Sequence, residues 1–156
     1  MCDTGYSVKR LVEDLREIAA LGAPELEMLE QVRGKVKQLM MMKHNWLRPS
    51  MTATESCLLH EEHDHSLAVF VFTAQPGEEA EPHAHGTWVV IGGLEGWQTQ
   101  HRWKREGGEL VRDGSERIDT KTIVALESDA IHSLHNDSGA NAVTLNVSGM
   151  HPDYAR

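Results

Sequence analysis

Apolar residues recur at helical spacing only near the start of the chain. In SVKRLVEDLREIAA, residues 7–20, Val8, Leu11, Val12, Leu15, Ile18 and Ala19 share one face with charges opposite, which predicts an amphipathic helix. After Leu21-Gly22, Pro24 suits the first position of a second helix and Glu25 and Glu27 favour its positive end. Leu26, Leu29, Val32, Val36, Leu39 and Met40 carry its apolar stripe towards Asn45. A helical hairpin over about 7–46 is therefore expected. The MMM at 40–42 has no spaced methionine repeats around it and reads as packing.

From about residue 51 the pattern changes to short runs broken by turn residues: SCLLH, LAVFVFTA, TWVVIGG, GWQTQHRW, ELVRD, ERID, TIVAL, AIHSLHN and NAVTLNVS. Short runs at this spacing predict a sandwich or barrel of antiparallel strands over about 51–149. QPGE at 75–78 places Pro and Gly at the centre of a type II turn, and Arg112-Asp113-Gly114-Ser115 reads as a tight hairpin. A two-helix hairpin alone buries too little to stand apart, so residues 1–156 are expected to form a single mainly β domain with a helical prefix.

Charge narrows the partners. Fifteen Lys plus Arg against 24 Asp plus Glu give a formal net charge of -9, which argues against nucleic acid or an anionic membrane as partner. No apolar run approaches the length of a membrane span, and the N-terminus lacks a signal-type apolar segment, so a cytoplasmic location is expected. Cys2 and Cys57 form no close framework and are read as reduced.

Ten histidines are the compositional oddity, and spacing must decide which of them matter. Two His-x-His pairs have the strand geometry that lets both imidazoles face one ion. His63-Asp64-His65 lies in HEEHDHS, a polar run between apolar strands that reads as a solvated hairpin loop, with His60 nearby. His83 and His85 instead follow a Pro-Gly turn and Pro82 and run into TWVVIGG, a buried strand able to hold ligands rigidly. A third ligand is sought in DAIHSLHN, where alternation puts His132, Leu134 and Asn136 on one face and His135 on the other. Only one of His132 and His135 can join, and alternation alone leaves both open.

PHAHGTWVVIGGLEG followed by AIHSLHN resembles the two cupin motifs, Gly-x5-His-x-His…Gly and His-x3-Asn. GTWVVIGGLEG is similar to the bacterial thiol dioxygenases of the cysteine dioxygenase family, over about residues 56–149, and the helical prefix is also found there. The resemblance implies a double-stranded β-helix, the small jelly-roll barrel, with a metal in its mouth. Through His132-x3-Asn136 it selects His132, which gives His83, His85 and His132 as the implied ligands of Fe(II). The common cupin glutamate is missing from Gly86-Thr87-Trp88-Val89-Val90, and Glu95 comes too late to serve. Three neutral imidazoles leave Fe(II) its full charge and open positions for a thiolate and dioxygen. Irving–Williams order favours Zn or Ni at such a site in a purified sample.

Two departures bear on catalysis. The family's Ser-x-His-x-Tyr run is matched by Thr144-Leu145-Asn146-Val147-Ser148, so Thr144 stands for the serine while the histidine and tyrosine are lost. Tyr154, a few residues later, is the candidate to bend back towards the site, with a plain surface tail as its simpler reading. The arginine that clamps a substrate carboxylate is replaced by Ser56, with Arg102 the candidate to supply charge from another strand and an exposed β-face role as its simpler reading. Cys57 beside it reads as a small core residue. Trp88 reads as core, whereas Trp97 and Trp103 lie on mixed faces open to a ligand or a second subunit. The expectation is a metal-dependent dioxygenase-like cupin acting on a small organic substrate with dioxygen, a thiol going to a sulfinate in the strict family chemistry. The alternatives are an oxygenase with a non-thiol substrate and a metal-binding or sensing cupin without turnover. Edge strands of such barrels pair, so a homodimer is expected.

Overall fold

The computed structural model describes residues 5–150; Cys2 and Tyr154 lie outside the described residues. Helix α1 spans Val8–Ala20, started by Ser7, whose hydroxyl accepts from the Arg10 backbone N–H at 3.1 Å. Helix α2 spans Glu25–Met41 with Pro24 one position before it, and a short α3, Lys43–Trp46, continues the segment that the apolar stripe extends towards Asn45.

Nine strands follow among the described residues: β1 Ser56–Glu61, β2 Ala68–Ala74, β3 Glu79–Ala84, β4 Val89–Glu95, β5 Gln98–Glu106, β6 Glu109–Ile118, β7 Ile123–Leu126, β8 Ile131–His135 and β9 Ala142–Ser148. They form two antiparallel sheets, in the orders β1-β2-β9-β4-β7 and β3-β8-β5-β6. This is the expected jelly-roll, the double-stranded β-helix of cupins, with the helical hairpin laid against it.

The two faces of the five-stranded sheet explain its burial. Val69, Val71, Val90, Leu94, Val143, Leu145 and Val147 pack in one cluster with Leu11, Leu15, Leu29, Val32, Val36 and Leu39 of the helices. Val89, Ile91, Ile118, Val124 and Leu126 pack in a second cluster, between the sheets. Sheet residues of alternating parity therefore serve two cores, and β9 is buried at every position. The four-stranded sheet has no such cover, and β5 and β6 become exposed towards their hairpin.

Three turn readings can be compared with the backbone. Gly77 has φ 86 and the Glu78 N–H donates to the Gln75 carbonyl at 3.0 Å, as a Pro-Gly turn requires. The expected hairpin at 112–115 is not a turn. ELVRD and ERID are one strand, β6, and the chain reverses instead at Gly107-Gly108, both with positive φ. Asp113 and Gly114 form a bulge: His101 pairs with Ser115 and Trp103 with Arg112, so two residues stand opposite Arg102 alone. Gly114, at φ 118, permits it, and a turn-like dipeptide inside a long strand signals either feature. Strand β3 has no counterpart among the apolar runs because its sequence, EAEPHA, is polar and half exposed.

The Gly92-Gly93 pair shows two kinds of close approach. A Cβ on Gly92 would lie 2.4 Å from the Met40 Sδ, a flexible side chain of α2, whereas one on Gly93 would lie 1.8 Å from the Asp119 backbone carbonyl oxygen. Gly93→Ala is therefore expected to lower stability by about 3 kcal/mol or more and Gly92→Ala by about 1–2. Urea unfolding of the two variants checks this; equal losses would place the constraint elsewhere.

Candidate metal centre

The site is built by a change of strand parity. In β3 Ala80 pairs with Leu134 and His83 with His132, so Glu81 and Pro82 together oppose Ser133. Without that extra residue, Ala80 and His83 would face opposite sides; with it, both face inward, and so does His85 two residues on. Pro82 is tolerated because β3 is an edge strand of its sheet. The pair thus sits at the end of β3 and the residue after it, not on the buried β4 that the sequence pattern pointed to.

His83, His85 and His132 form a compact triangle. Their ring centroids are 4.9, 4.7 and 4.9 Å apart, and one nitrogen from each lies within 4.8 Å of the others. His132 is 1% exposed, at the centre of the four-stranded sheet, while His83 and His85 are half-buried. His135 lies on the other face, 3.8 Å from a Glu79 carboxylate oxygen. Of the two that alternation leaves open, His132 is the one that the fold brings to His83 and His85.

Hydrogen bonds fix which nitrogens face inward. His83 Nδ1 donates to the Glu81 carbonyl at 2.7 Å, since a carbonyl can only accept. His132 Nδ1 lies 2.7 Å from Gln100 Oε1, again an acceptor, so it carries the proton. In both rings Nε2 is left as a lone pair. His85 Nε2 and His132 Nε2 are 2.8 Å apart, and the hydrogen between them comes from His85. A cation in place of that hydrogen satisfies both lone pairs at once. Two imidazole nitrogens each about 2.1 Å from an ion at right angles are about 3.0 Å apart, so the spacing fits a shared ligand sphere.

Electrostatics favour the same state. Burial, followed by the neighbouring His83, lowers His85 to a pKa of about 4. Burial, followed by His85, His83 and Arg102, lowers His132 to about 3. Both rings are neutral at physiological pH, the form that binds a metal.

The triangle closes one end of a cavity of about 550 Å3 whose walls include Phe70, Phe72, Leu58, Ile91 and Leu134. Its polar groups beyond the histidines are Ser56, Asn146 and Glu55. Ser56 thus faces the cavity from the position where the resembled family keeps an arginine, and among the described residues no Lys or Arg lines it. Arg102 is held elsewhere: its Nε and Nη2 donate to Glu116 Oε1 at 3.0 and 2.9 Å. Thr144 is buried behind Asn146, whose Nδ2 donates to Thr144 Oγ1 at 2.9 Å. Asn136 is a buried brace, donating to the Ala74 and Ala140 carbonyls at 2.9 and 2.8 Å.

The remaining candidates are placed apart from the cavity. His60 and His65 pair with Glu62 and Glu61 beside the β1–β2 turn, and His63 is exposed there, as a solvated loop requires. Trp88 packs against the helix-side core, and Cys57 does likewise as a free thiol. Trp97 stacks beneath Arg117 at 3.7 Å, and Trp103 donates to Ser133 Oγ at 2.9 Å. Gln100 and the Glu81-Pro82 bulge are what sequence reasoning missed. Alternate glutamines in QTQ were the available signal, since their shared face points into the barrel.

No protein-family model matches the chain, and no curated protein matches it. Among solved structures, the cupin domain of Cnp3 from Schizosaccharomyces pombe superposes with a TM-score of 0.51 at 12% identity, over 62% of this chain and 60% of that one. Recombinant oxalate oxidase in complex with glycolate gives 0.50 at 14% identity, over 65% and 55%. At these identities the likeness is one of fold. Topology and neighbours define a cupin-type double-stranded β-helix carrying a three-histidine cluster in its cavity. No helix among the described residues is long and apolar enough to cross a membrane.

His83→Ala is expected to abolish stoichiometric Co2+ binding and His63→Ala to leave it unchanged, as read by equilibrium dialysis; the reverse would move the centre to the β1–β2 loop. Stability should also report the lowered pKa values. Between about pH 6.5 and the folded values near 4 and 3, the unfolded chain binds more protons than the folded one. Stability is therefore whole above about pH 6.5 and falls with pH below it, by up to about 2.7 kcal/mol per pH unit from these two groups. Urea titrations of chelator-treated protein at several pH values, against His85→Asn/His132→Asn, should show a shallower slope in the double variant.

Proposed function

We propose that this chain is a mononuclear metal-dependent oxygenase that holds Fe(II) through Nε2 of His83, His85 and His132 and oxidises a small organic substrate, a thiol in the leading case. The observation that carries this reading is the triangle of imidazoles, with Nδ1 of His83 and of His132 held as donors, facing a largely apolar cavity. Bound there, the iron would supply redox chemistry towards dioxygen and a Lewis-acidic place for a thiolate. The balanced outcome is addition of both atoms of O2 to sulfur, RSH + O2 giving RSO2H. Zn or Ni would fit the same nitrogen donors without supplying that chemistry.

The chain's own residues define the substrate's other end. Phe70, Phe72, Leu58 and Leu134 give a wall that desolvates an alkyl or aryl group. Ser56 offers a hydroxyl and Asn146 an amide, the latter steadied by Thr144, so a neutral polar group can be oriented. A carboxylate would meet no guanidinium there, and Glu55 would repel it. The positioning role of Thr144 thus acts through Asn146. The lack of a carboxylate clamp also supports a second reading, in which the same centre oxidises an apolar substrate that is not a thiol.

Oxygen uptake by anaerobically Fe(II)-reconstituted protein tests this with paired thiols that do or do not carry a carboxylate. Uptake matched by sulfinate and absent in His132→Ala is expected, with kcat/KM for the uncharged member about 10–100-fold higher, the worth of one charge-assisted hydrogen bond. No uptake with any thiol at stoichiometric iron would sink the thiol assignment and leave the second reading.

A further inference from the structure

Behind His132 runs a line of buried and half-buried polar groups that the catalytic reading leaves without a role. Gln100 is fully buried on β5, the strand beside β8, with its Oε1 against His132 Nδ1 at 2.7 Å and its Nε2 donating to Glu116 Oε1 at 2.9 Å. Glu116 lies directly across from Gln100 on β6 and accepts from Arg102 Nε and Nη2 on the same oxygen. Arg102 in turn pairs with His132 across β5 and β8. Four side chains on three strands thus form one hydrogen-bonded series.

We propose that Gln100 and Glu116 are positioning residues that set the tautomer of His132, Glu116 acting through Gln100. The polarity of the series is dictated by its ends. A guanidinium can only donate, and an ionised carboxylate can only accept. Glu116 therefore requires the amide nitrogen of Gln100, which turns the amide oxygen towards His132. That oxygen requires a proton on Nδ1, and the Nε2 lone pair is left facing the cavity. If the amide rotated by half a turn, its NH2 would meet Nδ1, the proton would move to Nε2, and the ring would present a hydrogen where a ligand atom is needed. Burial of Gln100 and His132 makes the choice firm at the ring, since water cannot stand in between them. The bulge at Asp113-Gly114 belongs to the same device. It lies opposite Arg102 and changes the parity of β6, so Glu116 faces inward beside Gln100 while Arg112 is turned to the outer face, over Trp103 at 5.3 Å.

This inference rests on the three-histidine metal centre for its consequence, but its test does not need the metal. Long-range 1H–15N correlation spectra of chelator-treated protein distinguish Nδ1–H from Nε2–H imidazoles by their nitrogen shifts. Wild-type His132 is expected as Nδ1–H. Glu116→Ala, at a half-exposed position that leaves the core intact, is expected to shift it to a mixture or to Nε2–H and to weaken Co2+ binding about 10–100-fold. Glu116→Gln keeps an oxygen in the place of Oε1, where it accepts from Gln100 Nε2 and from Arg102 Nε and Nη2 as the carboxylate does. It should keep both the tautomer and the affinity that Glu116→Ala loses, a contrast that a merely structural role for the pair would not predict. An unchanged Nδ1–H ring in Glu116→Ala, or an Nε2–H ring in the wild type, would overturn the proposal. A tautomer that follows Glu116 in a protein that takes up no Co2+ would uphold it and overturn the metal-centre reading instead.

Discussion

A β-strand shows its side chains to alternate faces, and that constraint governs this molecule more than any other. A His-x-His pair at the end of β3 is useful only if its parity agrees with His132 on β8, and Ala80 must also point inward to complete the wall. Both conditions are met only because Glu81 and Pro82 take the place of one residue. The same insertion places the Glu81 carbonyl within 2.7 Å of His83 Nδ1, so the device that aims the ring also fixes its tautomer. Loss of one residue there would turn both histidines outward while leaving the barrel hydrogen-bonded.

The two sheets divide the labour. The five-stranded sheet is buried on both faces, by helices outside and by the second core inside, and supplies rigidity. The four-stranded sheet has one solvated face and carries the polar chemistry on the other, where Gln100 and His132 are aimed at each other. Neutral His85 and His132 rings follow from that arrangement, because the cavity that desolvates them also brings the histidines close enough to oppose their charging. Neutral nitrogen ligands and an apolar cavity suit a cation that keeps its charge for an anionic or reducible partner.

Much of this could be read from the chain because its signals are local. The helix stripes, the Pro-Gly turn, the solvated HEEHDHS loop and the spacing of PHAH and IHSLH each depend on a few consecutive residues. What escaped depends on pairing. Strand β3 is polar and forms an edge, so no apolar run announces it; the Asp113-Gly114 step is the same dipeptide whether the chain turns or bulges; and Gln100 matters only because Glu116 and His132 lie on either side of it. The choice between His132 and His135 had the same character: alternation separated them, and only the partner strand shows which face is inside.

The central claim is that three imidazoles, and no carboxylate, hold the ion. X-ray absorption of Fe(II)-reconstituted protein, recorded beside His85→Ala, addresses it most directly. Three imidazole scatterers near the usual metal–nitrogen distance of about 2.0–2.2 Å, falling to two in the variant, is the result this account predicts. A shell without imidazole scattering, or one unchanged by loss of His85, would contradict it.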